Sequence, residues 1–221
     1  SPGVFVEVAD APGGPLSIES HAEEVLCVSP MLAAMQKRVR SLKESPGDGV
    51  PGMDAVIIGC FGDPGLAAAR EILDCPVVGP FEASMHVALQ LGARAGVITV
   101  LDSVVPVLDH LVRGMGLTLR YAGAAAVDIP VLELGRDRAT VAARAAEAAD
   151  RLIRTREADV LILGCMSLSF LGIAEDLAGR TGVPVVNPAR CALRTAESLA
   201  SQGLLQSRST YPKPRKGVEV G

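Results

Sequence analysis

Tryptophan is absent from this chain of 221 residues, and aromatic side chains of all kinds make up only 3% of it. A core with so few large rings must pack through aliphatic groups, and apolar residues do supply 49% of the sequence. That mixture suits parallel sheets covered by alanine-rich helices. No apolar run approaches the ~18 residues that a membrane-spanning helix needs, and the first residues do not form a signal peptide. Neither sign of charge dominates. A net charge of −4 gives no electrostatic basis for a nucleic-acid or anionic-membrane partner.

Several chemical signatures are missing too. Cys27, Cys60, Cys75, Cys165 and Cys191 are odd in number and scattered, with no CxxC spacing. This excludes a disulfide framework and a structural zinc site, and a reducing cytoplasm is the expected location. His21 and His110 show no metal-ligand spacing, His86 reads as a surface or core histidine, and no metal is expected. No GxGxxG follows a strand, and neither a P-loop nor a GxSxG elbow occurs, so nicotinamide, ATP and serine-hydrolase chemistry lack support.

What the chain does have is alternation. Aliphatic runs at 4–8, 55–59, 76–79, 96–101, 117–121, 160–164 and 183–186 read as strands. Helical patterns fall at 67–73, 83–92, 139–157 and 191–203. Such alternation predicts an α/β fold with mainly parallel sheets. Asp63 is the expected N-cap of the helix over 67–73, with Pro64 at its first position. The tail from 207 to 221 reads as an irregular surface strap whose Arg208, Lys213, Arg215 and Lys216 are solvated.

One heptad occurs twice. "DAVIIGC" at 54–60 and "DVLILGC" at 159–165 share Asp, Ile, Gly and Cys in register, 105 residues apart. A helix follows each cysteine, then "CPVVG" (75–79) answers "VPVVN" (183–187), and a second helix follows each of these. The chain therefore reads as two related halves. We expect two Rossmann-like lobes related by a pseudo-twofold axis, one formed by 1–100 with 195–221 and the other by 101–194.

In open α/β sheets ligands bind beyond the carboxyl ends of the strands, where both Cys60 and Cys165 fall. A pseudo-twofold axis would set them on opposite sides of one cleft. Two such thiols suit racemisation at a carbon made acidic by a neighbouring carbonyl. One thiolate removes a proton, and the other thiol returns a proton to the opposite face. Helix N-termini are expected to lower the thiol pKa values, and backbone N–H groups in "FGDPG" and "MSLS" to bind a developing oxyanion. Cys27, Cys75 and Cys191 lack matched partners and read as structural.

"GCFGDPGL" (59–66), "GPLSIES" (14–20), "DIPVLEL" (128–134) and "YPKPRK" (211–216) resemble the hydantoin and allantoin racemases of the aspartate/glutamate racemase superfamily. The resemblance implies two lobes, no cofactor, Cys60 and Cys165 as the catalytic pair, a small-molecule substrate and a homo-oligomer. It also implies that Thr99 lines the pocket, with Phe61 and Gly62 beside Cys60 and Met166 and Ser167 beside Cys165 in contact with substrate. Members of this family open with a strand carrying an Asn-Pro-Asn motif. The present sequence starts after that point, so its first strand is expected to be missing. "GCMSLSFL" also replaces the Gly-Cys-Ala-Gly-Met type of loop, with bulkier residues at 166 and 167. The expected substrate is a 5-substituted hydantoin or an allantoin-like cyclic ureide. An aspartate or glutamate racemase, a maleate-isomerase-like enzyme and a non-catalytic small-molecule binding protein are the alternatives.

Overall fold

The computed structural model describes residues 3–44 and 52–216. A long helix, α1 (His21–Glu44), comes first. Its start is a capping box. Ser20 Oγ accepts the N–H of Glu23 at 3.4 Å, and the Glu23 carboxylate accepts from the Glu19 N–H at 2.7 Å and from the Ser20 hydroxyl at 2.9 Å. The chain then runs β1 (Val56–Ile57), α2 (Leu66–Ile72), β2 (Val77–Val78), α3 (Pro80–Leu91) and β3 (Ala95–Thr99). It continues through α4 (Val105–Gly114), β4 (Tyr121–Ala126), α5 (Arg138–Arg156) and β5 (Val160–Leu163). It closes with α6 (Met166–Ser169), α7 (Ala174–Thr181), β6 (Val185–Val186) and α8 (Pro188–Ser201).

The strands form two parallel sheets. β1 pairs with β2, and the second sheet has the order β4-β3-β5-β6. Every residue of β3 and β5 is buried, as expected of parallel strands covered on both faces. On one face lies α5, whose Val141, Ala145, Ala148, Ala149 and Leu152 are buried. Asp137 caps that helix by accepting the N–H groups of Ala139 and Thr140. Proline opens both α3 and α8, and these two helices pack against each other. Among the described residues no helix is long and apolar enough to cross a membrane.

The duplicated order seen in the sequence is present as structure: β1, Cys60, α2, β2 and α3 in one half, and β5, Cys165, α6–α7, β6 and α8 in the other. Four expectations need revision. The 4–8 run forms no strand. Phe5, Val6 and Val8 are exposed and Glu7 pairs with Arg38 of α1, and among the described residues the apolar alternation has no neighbouring strand to pair with. The strand expected at 117–121 begins only at Tyr121. A helical turn occupies Thr118–Arg120, pinned where Arg120 donates to the carbonyls of Ala93 and Gly92. β3, by contrast, is a strand where one was expected, and it pairs with both β4 and β5.

Asp63 supplies the third correction. Its backbone is left-handed, with φ 53°, and α2 starts beyond it at Leu66, with Gly65 at the N-cap. The Asp63 carboxylate reaches instead to α3, where it accepts the N–H groups of Phe81 at 2.9 Å and Glu82 at 2.8 Å. The residue does cap a helix, but one that is distant in sequence. The tail supplies the fourth. Residues 207–216 have no helix or strand, but Arg208 donates to the carbonyls of Arg70, Glu71 and Leu73, and Lys213 to that of Ile72. Those cations close the C-terminal end of α2. The remaining tail residues, 217–221, lie outside the described residues.

Candidate active site

Each thiol sits just beyond the carboxyl end of a parallel strand. Cys60 follows β1 by three residues, at the head of a tight turn in which its carbonyl accepts the Asp63 N–H. Cys165 follows β5 by two residues and is the N-cap of α6. The approach to Cys165 depends on Gly164, whose N–H bonds to the Ile98 carbonyl. A methyl group there would sit 2.5 Å from Val97 Cγ1 and 2.9 Å from that carbonyl oxygen. Only glycine allows β5 to leave the sheet so close to β3.

The two thiols are within electrostatic reach, since charge on Cys165 disfavours charge on Cys60. Burial dominates both. It pushes the Cys60 thiol up to about 12, against a lowering hydrogen bond from the Gly62 N–H, with Cys27, Cys165 and Glu24 adding to the rise. Cys165 is also raised by burial, but more donors oppose the shift: the N–H groups of Leu168 and Ser167 and the Ser167 hydroxyl. The expected lowering by helix N-termini is therefore outweighed by desolvation. The turn N–H groups of Gly62, Ser167 and Leu168, expected to hold an oxyanion, are directed at the sulfurs.

The other anticipated residues divide. Ser167 touches Cys165, and Met166 beside it is half-buried. Thr99 ends β3 one position beyond the Ile98–Leu163 pair, level with the strand end that leads to Cys165. It is fully buried, and its hydroxyl has no hydrogen-bond partner among the described residues. Gly62 adjoins Cys60. Phe61 is packed edge-on against Phe81, ring centroids 5.5 Å apart, within the hydrophobic core. Cys27, read as structural from sequence, lies near enough to Cys60 to disfavour its thiolate.

Sequence reasoning did not single out Glu19 or Glu24. Glu19 acts on Cys165 and accepts the Val131 N–H at 2.6 Å, while its carbonyl accepts the Ser103 hydroxyl. Glu24 acts on Cys60. The start of α1 thus runs from one thiol toward the other. The available signal was the capping box around Ser20, which marks a helix start and fixes the facing of these acids. Among the described residues no group of three or more His, Cys, Asp or Glu is arranged to hold a metal ion. A groove of about 510 Å³ lined by Asp63, Arg70, Phe81, Glu82, Met115 and Tyr211 contains neither Cys60 nor Cys165.

Residues 1–196 match the family described as Asp/Glu/Hydantoin racemase. A hydantoin racemase from Rhizobium meliloti is 34% identical over 216 residues, covering 94% of this chain and 81% of that protein. The crystal structure of an allantoin racemase from Pseudomonas fluorescens superposes with a TM-score of 0.88 at 32% identity, over 100% of this chain and 89% of the other. A glutamate racemase from Bacillus anthracis shares the fold alone, with a TM-score of 0.52 at 20% identity over 83% of this chain and 74% of that one.

Proposed function

The chain belongs to the Asp/Glu/Hydantoin racemase family and is a two-lobed α/β isomerase of the hydantoin and allantoin racemase type, and we propose that Cys60 and Cys165 racemise a five-membered cyclic ureide by a two-base mechanism. The observation that carries this reading is the placement of two thiols at equivalent positions, each between a strand end and a helix, in a duplicated strand–helix unit. A 5-substituted hydantoin or allantoin has a ring C–H flanked by a carbonyl. Its proton is acidic enough for a thiolate to remove.

Cys165 takes the negative charge first, because three donors face its sulfur and one faces that of Cys60. Its thiolate removes the ring proton and the electron pair of that C–H bond moves into an enolate. The Cys60 S–H then protonates the opposite face, leaving Cys165 as thiol and Cys60 as thiolate. For the other enantiomer the roles exchange. Burial serves the step by excluding water from the enolate and by keeping the proton-donating thiol protonated. Thr99, Met166 and Ser167 border the ring in this reading. The Thr99 hydroxyl, without a partner among the described residues, supplies a hydrogen bond that the substrate can complete.

The test is to follow optical activity of separate L- and D-5-substituted hydantoins and of allantoin, with aspartate, glutamate and maleate as comparisons. Loss of optical activity from one of the ureides, faster than in buffer alone, is the expected result. Turnover of an amino acid or maleate with none of any ureide would overturn the substrate class.

A further inference from the structure

The first turns of α1 place an acid–base pair beside Cys60. His21 Nδ1 lies 3.3 Å from Glu24 Oε2; the imidazole is open to solvent and the carboxylate mostly covered. From α4 the His110 ring meets His21 edge-on, with centroids 6.3 Å apart, and its charge also acts on Glu24. The second oxygen, Glu24 Oε1, rests on Gly62, where an added methyl group would come within 2.3 Å of it. Gly62 also gives its N–H to the Cys60 sulfur. Carboxylate and sulfur therefore flank one residue.

A two-thiol racemase leaves its thiols in exchanged protonation states after each turnover. When Cys60 becomes the thiolate it sits beside Glu24, and two negative charges in a half-buried site repel. The groups facing this pair are His21 and Cys27 on α1, His110 on α4, and Cys165 from the other strand end. Of these only the histidines can offset the charge. A single proton shared between sulfur and carboxylate relieves the repulsion.

Resting on the two-thiol reading, we infer that Glu24 is a positioning residue that exchanges a proton with Cys60 and passes it to solvent through His21. The Cys60 S–H bond breaks as a Glu24 O–H bond forms, and the electron pair remains on sulfur. The carboxyl group then gives its proton to the His21 imidazole, and the reverse path reloads Cys60. No oxidant, reductant or leaving group takes part. Burial raises the Glu24 carboxyl above its ordinary range, against the lowering pull of His21 and His110.

The experiment compares wild type with Glu24→Gln and Gly62→Ala in the full chain, by alkylation with iodoacetamide at pH 8 read by peptide mass spectrometry and by steady-state kinetics. Glu24→Gln removes the charge and keeps the shape, whereas Gly62→Ala displaces the carboxylate and keeps its charge. Both should speed Cys60 alkylation by about threefold or more, corresponding to half a pKa unit, with Cys165 unchanged. The Glu24→Gln kcat should fall roughly tenfold or more with KM little changed, and added imidazole should restore part of it. An unmoved Cys60 rate in both variants, or a rise in KM with kcat intact, overturns the inference. If wild type racemises no ureide, the proposed function fails, while the Cys60 alkylation rate still decides whether Glu24 controls that thiol.

Discussion

The carboxylate of Asp63, three residues beyond Cys60, accepts the backbone N–H of Phe81 at the start of α3, 2.9 Å away. With the Glu82 N–H also bound, one buried side chain ties the thiol-bearing turn to a helix in the core. Asp63→Ala leaves both amides without that partner. Urea unfolding is expected to show a loss of about 1–3 kcal/mol, at the upper end for a capping residue because the site is buried. Unchanged stability would mean that water replaces the carboxylate.

The same carboxyl makes stability depend on pH. Burial raises it to about 7, against its two backbone donors, whereas an unfolded chain releases that proton near ~3.9. Between those values the folded state holds the additional proton. The stability this group contributes is thus fully present below about pH 4 and is lost as pH rises through about 7. Asp63→Asn should flatten that part of the stability–pH curve, as measured by urea midpoints from pH 4 to 8. An unchanged curve would place the dependence elsewhere.

Ser167 gives its hydroxyl and its N–H to the sulfur of Cys165. Ser167→Ala removes the hydroxyl alone. Hydrogen bonds to charged groups are worth about 1.5–3 kcal/mol, so kcat should drop roughly ten- to a hundredfold. Cys165 alkylation at pH 8 should slow in parallel, and Cys60 should not follow. A change in KM only would assign Ser167 to ground-state binding.

Arg208 holds the carbonyls at the end of α2 from 135 or more residues away in sequence. Together with the Arg70–Glu82 pair, in which Arg70 also contacts Tyr211, it fastens the tail over α2 and α3. Arg208→Ala should free the tail and increase proteolysis near residues 204–216, with a fall in stability of about 1 kcal/mol. A cleavage pattern identical to wild type would refute the strap.

Much of this was legible in the sequence, for identifiable reasons. β3 and β5 are aliphatic runs long enough to read as buried strands, and the repeated heptad exposed the matched cysteines. α5 and α8 carry strong caps, Asp137 and Asn187. α1 was not read as a helix because its apolar pattern is weak and Pro30 interrupts it. Asp63 misled because a good capping residue does not announce which helix it caps. The 4–8 run failed because alternation describes one strand, and pairing requires another. At the site the cysteines carried a signal, but the acids facing them did not. A thiol's pKa depends on burial and on neighbours distant in sequence, and these balances appear only when the chain is folded.

The central claim is that each sulfur serves one face of the same ring carbon. It is tested most directly by incubating L- and D-substrate in deuterated water with Cys60→Ala and with Cys165→Ala, scoring deuterium at the ring carbon separately from inversion. Neither variant should racemise above the buffer rate, and each should exchange the ring proton of one enantiomer only, opposite in the two cases. Full racemisation by either variant, or exchange of the same enantiomer by both, would contradict the account.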